Sequence, residues 1–312
     1  MSVALITGVN GFVGRLLAEK LSANNRHIVG IDIQDKSILP DIQYFKADIC
    51  DIDIMANIFS KTQPQEIYHL AAVSSPSYFH TEPFNSFRIN LMGSISLFEV
   101  MKKSTCNSVM LAAGSAKQYQ EPAGPGPVTE SGILNPSGYY GMSKYAVEMI
   151  GRYYVQQHDL DIRFTRSFNH TGPGQANNFV CSDWARQVAL IALGMQKPEI
   201  SVGNIKAAID FTDVRDVIEA YRLIVQNGKK GEAYNVCNGK GIDLKYILDY
   251  LTKKCPSQIS ICVKQEKFDV TAANAGLIGN YDKLHKETGW NPQIPIEKTL
   301  DDIYAWWVNN LR

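Results

Sequence analysis

Residues 3–14 read VALITGVNGFVG. An apolar run stops at a threonine, glycines follow at Gly8, Gly11 and Gly14, and the hydrophobic period then changes. In FVGRLLAEKLS (12–22), Val13, Leu16, Leu17 and Leu21 recur on one helical face. The stretch predicts a strand, a tight turn and a helix. Gly8 lets the chain turn sharply. Gly11 lets the backbone approach a pyrophosphate, and Gly14 lets the helix pack closely on the strand. The unpaired N–H groups at the helix start then attract the phosphate. Asn10, Phe12 and Val13 share this turn and are candidate cofactor contacts.

The alternation continues outward. HIVGID (27–32), IQYFKAD (42–48), EIYHLAA (66–72), SVMLAAGS (108–115) and DIRFTRSFN (161–169) read as strands. Helical segments over 54–62, 87–104 and 139–158 separate them. Strands alternating with helices predict an α/β fold, a doubly wound parallel sheet of the Rossmann type with right-handed crossovers. Asp32 ends the second strand, 18 residues after Gly14. A carboxylate there accepts hydrogen bonds from a ribose 2′-OH and repels a 2′-phosphate, which favours NAD(H) over NADP(H). Beyond residue 170 the pattern loosens into the turn-rich GPGQANN, with helices at 183–195 and 244–254 and the amphipathic tail IEKTLDDIYAWWVNNL.

Composition narrows the field. The chain has 312 residues and no formal net charge, so no electrostatic footprint for nucleic acid or an anionic membrane is present. Its apolar runs are too short to span a bilayer, and MSVALITG lacks the pattern of a signal peptide. The six cysteines show no metal-ligand spacing and read as reduced thiols of a cytoplasmic protein.

Tyr140 and Lys144 lie four residues apart on the predicted helix and share a face. A free phenol, with a pKa of ~10, is reluctant to exchange protons at neutral pH. An ammonium beside it favours the phenolate. Tyr140 then exchanges a proton with a substrate oxygen while a hydride moves to or from a nicotinamide. His69 and His170 have no third ligand at suitable spacing. They read as local hydrogen-bonding residues, and no metal is expected.

The GxxGxxG turn, HLAA (69–72) and the Tyr140–Lys144 pair together resemble the extended short-chain dehydrogenase/reductase family. FNHTGPGQ (168–175), DFTDVRDV (210–217), YNVCNG (234–239) and TGWNPQIPIEKTL (288–300) extend the resemblance over essentially the whole chain. They place it in the nucleotide-sugar epimerase/dehydratase branch, nearest the GDP-4-keto-6-deoxy-mannose reductases and GDP-mannose 4,6-dehydratases. The resemblance implies a Rossmann domain over 1–170 that also receives about 207–230. A smaller, partly interleaved substrate lobe would take most of 171–312. It implies that Ser115 hydrogen-bonds the substrate oxygen beside Tyr140, and that Lys144 also holds the nicotinamide ribose. By the same likeness Asp48, Ile49, Leu70, Ala71, Ala72, Asn90 and Phe168 line the cofactor path. Ser74, Lys117, Asn169, Phe179, Arg186 and Arg215 join Ser115 as substrate contacts. A homodimer through the helices that carry Asn90 and Tyr140 is also implied.

Three positions depart from the family pattern. Dehydratases of this branch hold an acid two residues after the catalytic Ser or Thr; here Lys117 stands there, which argues against dehydration. Relatives carry Arg where this chain has Ile209 and Val270, so the usual bidentate grip on a diphosphate is missing. Arg186, Lys206, Arg215 or Lys267 are the available replacements. The expected function is an NAD(H)-dependent sugar oxidoreductase, reducing a 4-keto-6-deoxy nucleotide sugar with Tyr140 as general acid. The alternatives are a nucleotide-sugar epimerase with tightly held NAD, an oxidoreductase on a sugar lacking a diphosphate, or a non-enzymatic cofactor-binding regulator.

Overall fold

A computed structural model describes residues 2–74, 76–120, 126–264 and 276–312. Its strands are β1 (Val3–Thr7), β2 (His27–Asp32), β3 (Gln43–Lys46), β4 (Glu66–His69), β5 (Val109–Ala113), β6 (Asp161–Ser167), β7 (Asn169–Thr171), β8 (Glu199–Val202), β9 (Ala208–Asp213), β10 (Ala233–Val236), β11 (Gly241–Asp243) and β12 (Ser260–Val263). Its helices are α1 (Phe12–Ala23), α2 (Ile52–Thr62), α3 (Pro76–Thr81), α4 (Pro83–Phe87), α5 (Gly93–Lys103), α6 (Tyr139–His158), α7 (Val180–Ala192), α8 (Val214–Asn227), α9 (Leu244–Thr252), α10 (Asp282–Thr288) and α11 (Ile296–Leu311).

Seven parallel strands form the main sheet in the order β10-β6-β5-β4-β1-β2-β3. The order reverses between β1 and β4, and it is in the crevice outside the carboxyl ends of the strands at such a reversal that sheets of this kind take ligands. Both faces are covered. One core joins β1 to α1 and α8 through Ile6, Leu17, Val217 and Tyr221. The other joins β1 to α2, α5 and α6 through Leu5, Phe59, Leu97 and Val147. Burial on both faces explains why the strands read as continuous apolar runs instead of alternating ones.

A third core, with Trp184, Ile209, Leu248 and Ile303, gathers α7, β9, α9 and α11. Here β9 pairs with β7 and β11, and β8 with β12. The chain returns to the main sheet with α8 and β10. Within 207–230, β9 belongs to the small sheet, whereas α8 packs on the main one. The seventh strand is β10, fully buried at Ala233–Val236, and Leu284 of α10 follows it into the first core.

Two elements differ from the periodicity. The helix read over 87–104 begins with a π-helical turn at Arg88–Met92, carrying Asn90. A wide turn of this kind re-aims one side chain, and Asn90 is the one held inward. The strand read over 161–169 breaks at Phe168, whose N–H donates to Val236 O at 2.9 Å, so β6 and β7 enter different sheets.

Candidate active site

The glycine turn has the geometry a dinucleotide needs. Gly8 has φ +72, and a Cβ built there would lie 2.9 Å from Ala71 Cα. A Cβ on Gly14 would stand 2.2 Å from Gly8 O. Neither position has room for a side chain, so β1, the loop after β4 and α1 meet backbone to backbone. The N-cap, Gly11, makes no side-chain hydrogen bond, and the first turn holds no acid. The N–H groups at the start of α1 therefore stay open to an anion. These features fit a pyrophosphate. At the rim, Asp32 accepts N–H groups from Asn10 at 3.1 Å and Gln34 at 3.3 Å. Burial would raise Asp48, but the Cys50 N–H and the Arg88 guanidinium carry it below the usual carboxylate range.

The loop after β4 is fixed from below. His69 lies between Thr7 Oγ1 and Ser94 Oγ, at 2.8 Å from each. Burial drops its pKa to about 3, so the ring is neutral. Thr7 Oγ1 also accepts from Ala71 N at 3.2 Å. Asn90 accepts from Val73 N at 2.7 Å and donates to Val73 O at 3.1 Å. Its amide also reaches Ser143 Oγ at 3.0 Å, on α6. One buried amide thus ties the cofactor-side loop to the helix that starts with Tyr139 and Tyr140. Leu70, Ala71 and Ala72 are half-buried at the rim of the crevice, and Ile49 is buried against Gly93.

Ser115, Tyr140 and Lys144 come together where β5 ends. The Ser115 hydroxyl accepts the Lys117 N–H at 3.2 Å and lies near the Tyr140 phenol. Lys144 is 8% exposed and donates from Nζ to Ala113 O at 2.8 Å. Burial pushes Tyr140 up to about 12; the nearby Tyr221 phenol adds to the rise, and the Ser115 hydroxyl opposes it. One of the three Lys144 ammonium N–H groups goes to the Ala113 carbonyl, and burial lowers the Lys144 pKa to about 8. The rings of Phe79 and Tyr140 meet edge-on at 5.9 Å.

Several candidates sit elsewhere than the sequence placed them. Arg215 is committed to Asp213 and Asp302. Its Nε and one terminal nitrogen meet the two Asp213 oxygens at 2.9 and 2.7 Å, and the other reaches Asp302 at 2.8 Å. It is a brace between α8 and α11, with no fork left for a phosphate. Arg186 lies over the Trp307 ring at 5.7 Å. Phe168 is buried against Ala116, Tyr119 and Cys237, so its ring packs beneath the serine turn. Ile209 fills the third core, where an Arg would have no room to stay charged. Ser74 and Phe179 are exposed, and Asn169 opens β7 half-buried. Lys117 is half-buried, and burial lowers its pKa. Lys267 and Val270 lie outside the described residues. Among the described residues no group of His, Cys, Asp or Glu assembles that would hold a metal.

Sequence reading missed Gln118, Glu148 and Arg166. Gln118 Nε2 donates to Glu148 Oε2 at 2.7 Å, and Arg166 meets the same carboxylate at 3.0 and 2.6 Å. Arg166 and Glu148 are charged residues in apolar surroundings on a strand and a helix, and that was the available signal.

The family model described as GDP-mannose 4,6 dehydratase matches residues 5–303. The GDP-6-deoxy-D-mannose reductase of Pseudomonas aeruginosa is 28% identical over 309 residues, covering 98% of this chain and 97% of that protein. The structure of RMD from Pseudomonas aeruginosa complexed with NADPH superposes with a TM-score of 0.87 at 27% identity, covering 99% of this chain and all of the other. The UDP-glucose 4-epimerase of Thermotoga maritima, solved with UDP-glucose, shares the fold with a TM-score of 0.89 at 22% identity, covering 99% of this chain and 100% of that one. On the family-model match over residues 5–303, the chain belongs to the GDP-mannose 4,6-dehydratase family.

Proposed function

We propose that the chain is a nicotinamide-dependent reductase of a 4-keto-6-deoxy sugar carried on a nucleotide, with NADH as the preferred donor. The observation that carries this is the meeting of Lys144, one turn along α6 from Tyr140, with the end of β5 just before Ser115, at the same carboxyl edge of the sheet as the glycine turn. Gly8, Gly11 and Gly14 would hold the pyrophosphate, Asp32 a ribose, and Lys144 the second ribose. A reduced nicotinamide bound there supplies the hydride that a carbonyl carbon takes up.

The rest is the work of the chain's own groups. Ser115 Oγ and Tyr140 Oη both reach one substrate oxygen and orient the carbonyl. Negative charge grows on that oxygen as the carbon is reduced, and Tyr140 Oη delivers its proton there. A phenol held up at about 12 is loaded for that direction. The Lys144 ammonium, two residues from Ser115 through the Ala113 carbonyl, stabilises the phenolate left behind. Lys117 stands where a dehydratase needs a carboxylate, and an ammonium cannot fill that role. Similarity to the Pseudomonas reductase supports the same reading.

The exposed Met142, Met149 and Tyr153 of α6, with Met92 before α5, fit a helical homodimer interface. Among the described residues no helix is long and apolar enough to cross a membrane, and the six cysteines are unpaired, in keeping with a cytoplasmic protein. The buried Ile209 and the committed Arg215 favour a second reading of the substrate, a sugar without a diphosphate. The test is NADH oxidation with GDP-4-keto-6-deoxy-mannose, by wild type and Tyr140→Phe. Net turnover lost by at least a hundredfold in the variant is expected. Retained NAD with no net NADH consumption would establish an epimerase instead.

A further inference from the structure

We propose that Gln118 is a positioning residue for this reaction: its carboxamide holds the Ser115 peptide and fastens it to the catalytic helix through Glu148. The inference rests on the reductase reading for its kinetic consequences, not for its geometry.

Ser115 lies beyond the last ladder pair of β5, so no neighbouring strand fixes it. Both of its main-chain polar groups go to one residue. Its N–H donates to Gln118 Oε1 at 2.9 Å, and its carbonyl accepts the Gln118 N–H at 3.1 Å. The other end of the carboxamide donates to Glu148 Oε2 at 2.7 Å. Only one orientation of the amide satisfies both partners, because an N–H needs the oxygen and a carboxylate needs the nitrogen. Gln118 is fully buried, so losing either bond leaves a polar group unpaired.

Room for this amide is made by Gly114. A Cβ at Gly114 would lie 2.5 Å from Gln118 Oε1 and 2.1 Å from Thr165 O. Glu148 is itself immobilised by Arg166 and Arg152. It stands one turn after Lys144, whose Nζ binds Ala113 O. The end of β5 is thus gripped on both sides of Ser115: at residue 113 by Lys144, and at residue 115 by the Gln118–Glu148 pair. Both grips come from α6, the helix that also presents Tyr140. Gln118 touches none of the reacting atoms and acts by fixing the Ser115 main chain, and with it the place of its hydroxyl, relative to the helix that carries Tyr140.

The test pairs Gln118→Met, similar in volume but unable to make either bond, with Ser115→Ala and the double variant. Gln118→Met should lower kcat about ten- to a hundredfold with KM within about twofold, as misplacement by a fraction of an ångström does. In the Ser115→Ala background it should cost nothing further, because it works only through that hydroxyl. A second readout needs no substrate. With tyrosine labelled at Cζ, the Tyr140 carbon signal should move in Gln118→Met to the position it takes in Ser115→Ala. Wild-type kcat in Gln118→Met, an equal loss on top of Ser115→Ala, or an unmoved Tyr140 signal would each overturn the proposal. Should wild type not reduce the sugar at all, the reductase reading fails while the Tyr140 signal still decides this one. If Gln118→Met does not fold, Gln118→Asn keeps the amide but falls one methylene short, and the same measurements apply.

Discussion

Replacing Asp32 by Asn tests how the crevice chooses its dinucleotide. The carboxylate ends β2 and accepts two main-chain N–H groups, from Asn10 and Gln34. Both donors are neutral, so they leave its charge in place. A 2′-phosphate on the ribose that Asp32 holds would approach to about 4 Å. One unit pair at that distance repels by ~4 kcal/mol at an effective dielectric of 20. Asp32 is half-exposed, and solvent and salt at the rim reduce this to roughly 2–3 kcal/mol even for a phosphate carrying nearly two charges. At about 1.4 kcal/mol per decade, NADH should be preferred over NADPH by roughly 30–150-fold. Asn keeps an oxygen for the Asn10 N–H, so the turn stays shaped while the charge is lost. The assay is kcat/KM with each dinucleotide at fixed sugar substrate. In Asp32→Asn the preference should fall to within about threefold. A wild-type protein that favours NADPH, as the complex of the Pseudomonas relative makes a real alternative, would refute the reasoning. So would an unchanged ratio in the variant.

Three further outcomes follow from the same geometry. Burial drops Lys144 from 10.5 to about 8, so between those pH values the unfolded chain holds a proton that the native state has lost. Stability of the cofactor-free protein should therefore rise by about 3 kcal/mol as pH climbs through that window, and urea titrations should find the slope gone in Lys144→Met. Arg215→Met should cost about 2 kcal/mol by leaving the fully buried Asp213 short of its partner, with KM for the sugar nucleotide unchanged; a tenfold rise in KM at unaltered Tm would restore Arg215 to the substrate site. Gly14→Ala pushes a methyl to 2.2 Å from Gly8 O, and calorimetry should find NADH binding weakened at least tenfold while the circular dichroism of the protein is kept.

Much of this molecule was legible along the chain. VALITGVNGFVG dictated its local structure because small residues alone permit the approach of β1, the loop after β4 and α1, and the contacts at Gly8 and Gly14 bear that out. The buried parallel strands showed as short apolar runs, since a sheet covered on both faces has no polar side to alternate with. Tyr140 and Lys144 could be paired because helical spacing is a local property. Other features depended on what the chain meets after folding. Arg215 looked available in sequence and is consumed by Asp302, 87 residues away. The rise in the Tyr140 pKa has no trace along the chain, because burial depends on the neighbours brought by tertiary packing, such as Phe79. Gln118 carried no signal, being one polar residue after a strand, until α6 supplied Glu148 as its partner. The sequence by itself determined which residue types could bind a dinucleotide and move a proton. Only the tertiary structure decided which charges were already spent and what holds Ser115 in place, because burial and pairing between residues far apart in the chain are set by the packing of whole elements.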